Sequence, residues 1–100
     1  MIGLDNVASP GTVVIKTELN SGGTTNTNTT DAWTDGQSHT LRINVSAAGV
    51  VTYLIDGVAP SVTAAFTFDN TDVVAPFFRL EHGAAAPGTV HWETMAVGFQ

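Results

Sequence analysis

A tryptophan flanked by carboxylates is the first feature of the sequence with the chemistry of a ligand site. Trp33 lies between Asp31 and Asp35 at the end of a long polar stretch. An aromatic ring can stack on the apolar face of a sugar while neighbouring carboxylates hydrogen-bond its hydroxyl groups. Trp33, Asp31 and Asp35 are therefore candidate ligand-binding residues. The alternative is that the Trp33 ring covers the edge of the hydrophobic core.

Oxygen donors cluster a second time, in the run Asp69-Asn70-Thr71-Asp72. Carboxylate and amide oxygens are the ligands that calcium prefers. The same residue types are also typical of turns, because their short side chains hydrogen-bond their own backbone. We expect a turn here, with Asp69, Asn70 and Asp72 as weak candidates for a calcium site, and no other metal or cofactor.

Residue types with the spacing of a catalytic site are scarce. Retaining glycoside hydrolysis needs two carboxyl groups about 5 Å apart, but the three glutamates, Glu18, Glu81 and Glu93, are isolated from one another in the sequence. The sequence has no Gly-x-Ser-x-Gly nucleophile motif. It also has no cysteine, which excludes a thiolate nucleophile and a cysteine-ligated zinc site. We therefore predict no catalytic residues and no enzyme activity.

Charge and hydropathy exclude two classes of partner. The chain has 100 residues, the size of a single domain spanning 1–100. Three Lys and Arg residues stand against nine Asp and Glu, for a formal net charge of -6. Nucleic-acid binding requires clustered cations, and a membrane span requires about 20 apolar residues in succession. The sequence provides neither, and its first residues lack the features of a signal peptide.

The elements that must position these residues are predicted to be β-strands, because apolar and polar residues alternate with a period of two. A hairpin is the clearest of them. Its strands are His39–Ser46 and Val51–Ile55, joined by a turn at 47–49 that places Gly49 where a left-handed conformation is needed. The residues expected on its inner face are Leu41, Ile43, Val45, Val51, Tyr53 and Ile55.

Shorter strands are predicted on both sides of this hairpin. Strands are expected near 2–4, 13–19, 66–68 and 74–80, and a last strand at 90–99 in which the apolar face switches between Glu93 and Met95, indicating a bulge. The polar, low-complexity segment 20–36 is expected to be a long loop. About seven short strands with frequent turns predict an all-β, antiparallel, jelly-roll-like β-sandwich.

Several of these segments together resemble a known superfamily. Trp33, Asp35-Gly36, His39-Thr40-Leu41-Arg42-Ile43 and the run Val51 to Asp56-Gly57 are similar to the concanavalin A-like, laminin G-like jelly rolls. Members commonly have a strand with Trp, His and alternating apolar residues, followed by a hairpin that ends in Asp-Gly. Because full members are about twice as long, the resemblance implies a reduced or half sandwich whose exposed sheet edges need a cover.

The resemblance extends to modules found in bacteriophage virion proteins, which the C-terminal Val97-Gly98-Phe99-Gln100 also resembles. It implies a non-catalytic structural or decoration module, located in a virion assembled in the host cytoplasm. Its partners would be copies of itself or other virion structural proteins. The alternative is a lectin-like domain that binds glycans through the 20–36 loop and Trp33.

Overall fold

Five β-strands and no helix make up the secondary structure in the computed structural model, which describes residues 2–5, 11–19, 21–34, 36–69, 71–75, 91 and 93–98. The strands are β1 (Ile2–Asp5), β2 (Thr12–Glu18), β3 (Thr24–Ala32), β4 (Leu41–Val45) and β5 (Val51–Ile55). They form two antiparallel sheets, one with the order β1-β2-β3 and one of β4 and β5. The predicted all-β, antiparallel class is confirmed for this part of the chain, with five strands rather than about seven. The same residues include no helix of the length and apolar character that would cross a bilayer.

One turn geometry closes the β2–β3 and β4–β5 hairpins. In the segments 19–23 and 46–50, the first residue donates its N–H to the carbonyl of the fifth over 2.9 Å, and the fourth donates back to the first over 2.9 Å. That fourth residue is Gly22 in one turn and Gly49 in the other, with φ angles of 88° and 79°. Glycine adopts this left-handed conformation without the steric cost that a Cβ would impose. The predicted hairpin of β4 and β5, including its glycine, is confirmed.

The predicted loop at 20–36 is wrong, because nine of its residues form β3. The strand pairs with β2 from Thr24 opposite Glu18 to Ala32 opposite Thr12. Polar composition suggested a loop, but threonine is β-branched and favours strand backbone even where the side chains face water. Pairing with the apolar β2 then supplies the stability that β3 itself lacks.

An irregularity interrupts β3 near its end. The register shifts between Thr12 and Val14, and Thr30 has a positive φ of 69°. The shift turns Thr29 inwards, where its side chain is fully buried. Its hydroxyl donates to the Val13 carbonyl over 2.7 Å and accepts the N–H of Asp31 over 3.2 Å. A buried threonine therefore satisfies the backbone groups that the bulge removes from the ladder.

The core contains residues from both sheets. Ile15 of β2 forms a buried cluster with Val51 and Tyr53 of β5. The partly buried residues packed against this cluster are Leu4, Ala64, Phe66 and Phe68. Phe66 and Phe68 contact each other edge to face with ring centroids 4.9 Å apart. The two sheets of this unit are thus joined by apolar contacts between alternate residues of their strands.

The apolar row on β4 is only half covered by the described residues. Leu41, Ile43 and Val45 lie opposite Ile55, Tyr53 and Val51, so both rows share one face of the hairpin. The β5 residues are buried, as predicted, whereas the β4 residues are 38%, 40% and 41% exposed. The prediction therefore identified the right residues for this face of the hairpin, but only those of β5 are buried.

The chain divides into two compact units, 1–70 and 71–100. All five strands belong to the first unit. In the second unit, the described residues 71–75, 91 and 93–98 have no strand assignment and are exposed. The predicted strand at 90–99 is therefore not formed over 93–98, and its remaining residues, except 91, lie outside the described part. Exposed apolar side chains here include Val73, Val74, Met95 and Val97.

Candidate functional site

An Asp-Gly turn after β5 forms the base of the one polar cluster that we consider as a candidate site. Ile55 and Val58 exchange two backbone hydrogen bonds of 2.9 and 3.0 Å around Asp56 and Gly57. The φ angles of these central residues are 52° and 83°. Positive φ at both positions defines the tight two-residue turn for which Asp-Gly is a preferred sequence. The turn projects the Asp56 carboxylate beside the start of β4.

The Asp56 carboxylate completes the end of the β4–β5 ladder. The Asp56 backbone N–H donates to the Thr40 carbonyl over 2.8 Å. In return, the Thr40 N–H donates to Oδ1 of the Asp56 side chain over 2.8 Å. The side chain thus accepts the hydrogen bond that the turned backbone of residue 56 cannot accept. This exchange closes the open end of the hairpin.

His39 binds the second oxygen of the same carboxylate. Its Nδ1 lies 2.8 Å from Asp56 Oδ2. Because an ionised carboxylate can only accept, Nδ1 carries the hydrogen of this bond. The His39 side chain is 11% exposed, and its Nε2 is buried without a hydrogen-bond partner. A buried imidazole with one satisfied nitrogen is therefore held between the turn and the rest of the unit.

The Trp33 ring lies against this imidazole. The ring centroids are 5.0 Å apart and the planes are tilted by 32°. Trp33 is half-buried and follows directly after β3. The Trp33 backbone N–H donates to the Gly11 carbonyl over 2.7 Å, which holds the backbone of residue 33 next to the start of β2. The cluster of Trp33, His39 and Asp56 thus connects the end of β3 with the open end of the β4–β5 hairpin.

The hydrogen bonds shift the acidity of Asp56. The bond from His39, followed by the bond from the Thr40 N–H, lowers the pKa of the Asp56 carboxyl below its usual value. Both bonds favour the charged form. The carboxylate is therefore the resting state of Asp56 at neutral pH, ready to accept from both donors.

The geometry of the cluster suits a structural role better than a catalytic one. We call the hydrogen bonds from His39 and the Thr40 N–H to the Asp56 carboxylate the clasp of the hairpin. A carboxylate that orients an imidazole is also half of the general-base arrangement found in many hydrolases. In such a centre the second ring nitrogen must reach a proton on a nucleophile or substrate. Here His39 Nε2 has no contact with solvent. The His39–Asp56 pair joins the residue two positions before β4 to the residue directly after β5.

The structure gives different outcomes for the predicted ligand-binding residues. Trp33 is half-buried, and His39 lies against one side of its ring. This position agrees in part with a ring that covers the edge of the core and in part with a ring that is open to a ligand. Asp31 lies on β3, and its Oδ2 is buried without a hydrogen-bond partner. Asp31 and Trp33, both within the described residues, form no hydrogen bond or ring contact with each other. Asp35 lies outside the described residues.

The candidate calcium ligands are placed only in part. Asp69 and Asp72 are exposed, and Asn70 lies outside the described residues. Within the described ranges, no three His, Cys, Asp or Glu side chains come together as a metal site. Asp69 and Asp72 stay weak candidates.

Sequence reasoning did not identify His39 and Asp56 as interacting residues. They are 17 positions apart, and the hairpin register, which places Thr40 opposite Asp56, brings their backbones close without fixing a side-chain contact. A signal was nonetheless available, because Trp33, His39 and Asp56-Gly57 are among the residues on which the expected resemblance to jelly rolls was based. The structure shows that these residues contact one another or form one turn.

Comparisons with protein-family models, with curated proteins and with solved structures found no match for this chain.

Proposed function

We propose that this chain is a non-catalytic structural or decoration module of a viral particle, of the bacteriophage type. It acts through contacts with copies of itself or with other structural proteins of the particle, and it is located in the virion after assembly in the host cytoplasm. The observation that carries the proposal is the half-exposed apolar row of β4. Leu41, Ile43 and Val45 share a face with buried β5 residues, yet each is about two-fifths exposed.

Rows of this kind favour association with another protein. Removing apolar surface from water contributes roughly 25 cal/mol per Å². An exposed apolar patch on a folded domain is typical of a surface that meets a partner. Val50 and Val62 are also more than 40% exposed in the same unit. The unit thus has apolar surface available for contacts with protein.

The chemistry of the polar cluster supports the non-catalytic part of the proposal. Asp56 uses both carboxylate oxygens for internal hydrogen bonds, and His39 keeps its second nitrogen buried. A group that must transfer protons needs access to substrate. The side chains with the strongest mutual interactions therefore stabilise the fold.

A jelly-roll-like β-sandwich of the concanavalin A-like, laminin G-like kind is the fold we propose for the module. It is supported by the shared core of Ile15, Val51 and Tyr53, in which residues of two antiparallel sheets meet. The proposal is also supported by Trp33, His39 and Asp56, on which the resemblance was based, because His39 contacts both of the other residues. Five strands in the described part are compatible with a reduced sandwich.

The lectin-like alternative has weaker support. A sugar-stacking tryptophan needs an open ring face, and the His39 ring already occupies one side of the half-buried Trp33. The remaining observation in favour of glycan binding is the exposed threonine and asparagine side chains of β3, which could hydrogen-bond hydroxyl groups. Titration of the chain with sugars, followed by tryptophan fluorescence, separates the two functions, since only a lectin would respond.

Light scattering tests the proposed function. The molar mass of the chain is measured alone and after mixing with proteins from dissociated particles of the phage that encodes it. We expect a mass above the monomer value of 10.4 kDa, from self-association or from a mixed complex. A mass that stays at the monomer value in both experiments would contradict the proposal.

A further inference from the structure

The outer edge of β3 is an open sheet edge within the described residues. The three-stranded sheet has the order β1-β2-β3, so β3 pairs with β2 on one side only. An unpaired edge strand presents a row of N–H and C=O groups to any strand that can approach it. Folded proteins commonly protect such edges with charged side chains. From Thr24 to Thr30 this strand has none.

The turn at 19–23 determines which backbone groups of β3 point outwards. Leu19 donates to Gly23, so these two residues form a hydrogen-bonded pair. Hydrogen-bonded and non-hydrogen-bonded pairs alternate along an antiparallel ladder. Thr25 and Thr27 therefore bond to β2, opposite Thr17 and Ile15. The residues between and before them direct their backbone N–H and C=O groups to the open edge, namely Thr24 and Asn26.

The sequence around Asn26 fits a second copy of the same edge. Thr25-Asn26-Thr27 reads the same in both directions. A two-fold axis at Asn26 therefore places Asn26 opposite Asn26 of the second copy and Thr25 opposite Thr27. The central pair exchanges two backbone hydrogen bonds, and the flanking pairs are threonines, which are favoured in strands. No like charges oppose each other, although the chain has a net charge of -6.

We propose that two copies of this chain pair antiparallel through their β3 edges, with Asn26 on the two-fold axis. This inference rests on the proposed function, for which it names one contact surface and one partner. The pairing is short, because the positive φ of Thr30 and its N–H bond to Asn28 Oδ1 end the regular edge. A contact of this size is weak by itself and acts when many copies are held close together.

A single cysteine at the axis tests the pairing. The sequence has no cysteine, so Asn26→Cys introduces the only thiol. Directly opposed residues of a hydrogen-bonded pair have Cα atoms about 5.5 Å apart, within the range that a disulfide requires. The matched control is Thr52→Cys, at an exposed position of β5. Under mild oxidation we expect the Asn26→Cys chain to form a disulfide-linked dimer at least about tenfold faster than the control, because pairing raises the effective thiol concentration.

A charge at the same position gives an independent readout. Asn26→Lys places two like charges opposite each other across the axis, which disfavours pairing, whereas Thr52→Lys adds the same charge elsewhere. At high protein concentration, where copies are held close together, we expect only Asn26→Lys to reduce self-association. Equal cross-linking rates for the two cysteine variants would overturn the inference. If that result accompanied a mixed complex with particle proteins, the proposed function would stand without this contact; loss of the complex itself would remove the function.

Discussion

The Nδ1 atom of His39 lies 2.8 Å from Oδ2 of Asp56, and this bond joins the residue two positions before β4 to the residue directly after β5. The other oxygen, Oδ1, accepts the Thr40 N–H. One carboxylate thereby fixes the open end of the hairpin, while Gly49 shapes its closed end. The β4–β5 hairpin is thus held at both ends by residues that a substitution can test.

Replacement of Asp56 tests the clasp through its dependence on pH. The pKa of this carboxyl is lowered in the folded chain, first by the His39 bond and then by the Thr40 N–H. Its contribution to stability is therefore present above the unfolded-state pKa of about 3.9 and is lost as the pH falls through the folded value. Asp56→Asn keeps the left-handed turn, because asparagine tolerates positive φ.

We expect Asp56→Asn to be less stable than the wild type at neutral pH, with a smaller difference at acidic pH. Urea denaturation at a series of pH values measures this. An unchanged difference between the two proteins across the acid range would show that the carboxylate charge does not stabilise the hairpin.

Gly49 is predicted to be the least replaceable residue of the hairpin turns. Its φ is 79°, and a Cβ there would overlap the Phe68 carbonyl oxygen. The Phe68 N–H also donates a hydrogen bond to the Gly49 carbonyl, so the two residues are held close together. Backbone strain alone costs about 1–3 kcal/mol, and the overlap adds to it. We expect Gly49→Ala to lower the free energy of unfolding by more than the strain alone.

Gly22→Ala is the matched control for that experiment. Gly22 occupies the same turn position with a φ of 88°, but a Cβ there would meet no atom within 4 Å. The difference between the two alanine variants in thermal denaturation isolates the contact with Phe68. Equal losses would mean that the segment around Phe68 moves away freely.

The buried hydroxyl of Thr29 is predicted to stabilise the bulge in β3. Thr29→Val keeps the shape of the side chain but leaves the Val13 carbonyl and the Asp31 N–H without this partner. An unsatisfied buried polar group costs about 1–3 kcal/mol. Chemical denaturation should show a loss of that order, and Thr25→Val, at an exposed position of the same strand, should show little change.

Tyr53 provides a test in which loss of a polar group does no harm. Burial raises the pKa of its phenol, and its hydroxyl oxygen is buried without a hydrogen-bond partner. We expect Tyr53→Phe to be as stable as the wild type or more stable, because no hydrogen bond is lost. A clear loss of stability in urea denaturation would indicate a partner for the hydroxyl.

The same residue predicts a limit to stability at high pH. A raised folded-state pKa means that the stabilising contribution is present below about pH 10, the unfolded value, and is lost as the pH rises through the folded value. Tyr53 is the only tyrosine of the chain, so its ionisation can be followed by ultraviolet absorbance. Tyr53→Phe should unfold at higher pH than the wild type.

Sequence patterns predicted the parts of the fold that depend on local alternation. The β4–β5 hairpin and the buried row on β5 follow from the alternation of apolar and polar residues. The turn follows from Gly49, because glycine readily adopts the positive φ that this position requires. The strand β3 could not be found in this way, because both of its faces are polar and its pairing with β2 is a long-range property.

The contents of the polar cluster were also beyond local rules. Trp33 attracted attention as a single residue, but its contact with His39 depends on where the chain returns after β3. The contact between His39 and Asp56 lies just beyond the last pair of the predicted hairpin, so it depends on side-chain conformation as well as on register. Residues that contact one another across strands become visible only when the pairing is fixed.

Density-gradient sedimentation of purified particles from the phage that encodes this chain tests the central claim most directly. If the chain is a structural or decoration module, mass spectrometry will find it in the particle band at a constant ratio to the other structural proteins across the band. If it instead remains in the light, soluble fractions while the particle proteins sediment, the claim of a structural role in the virion is wrong.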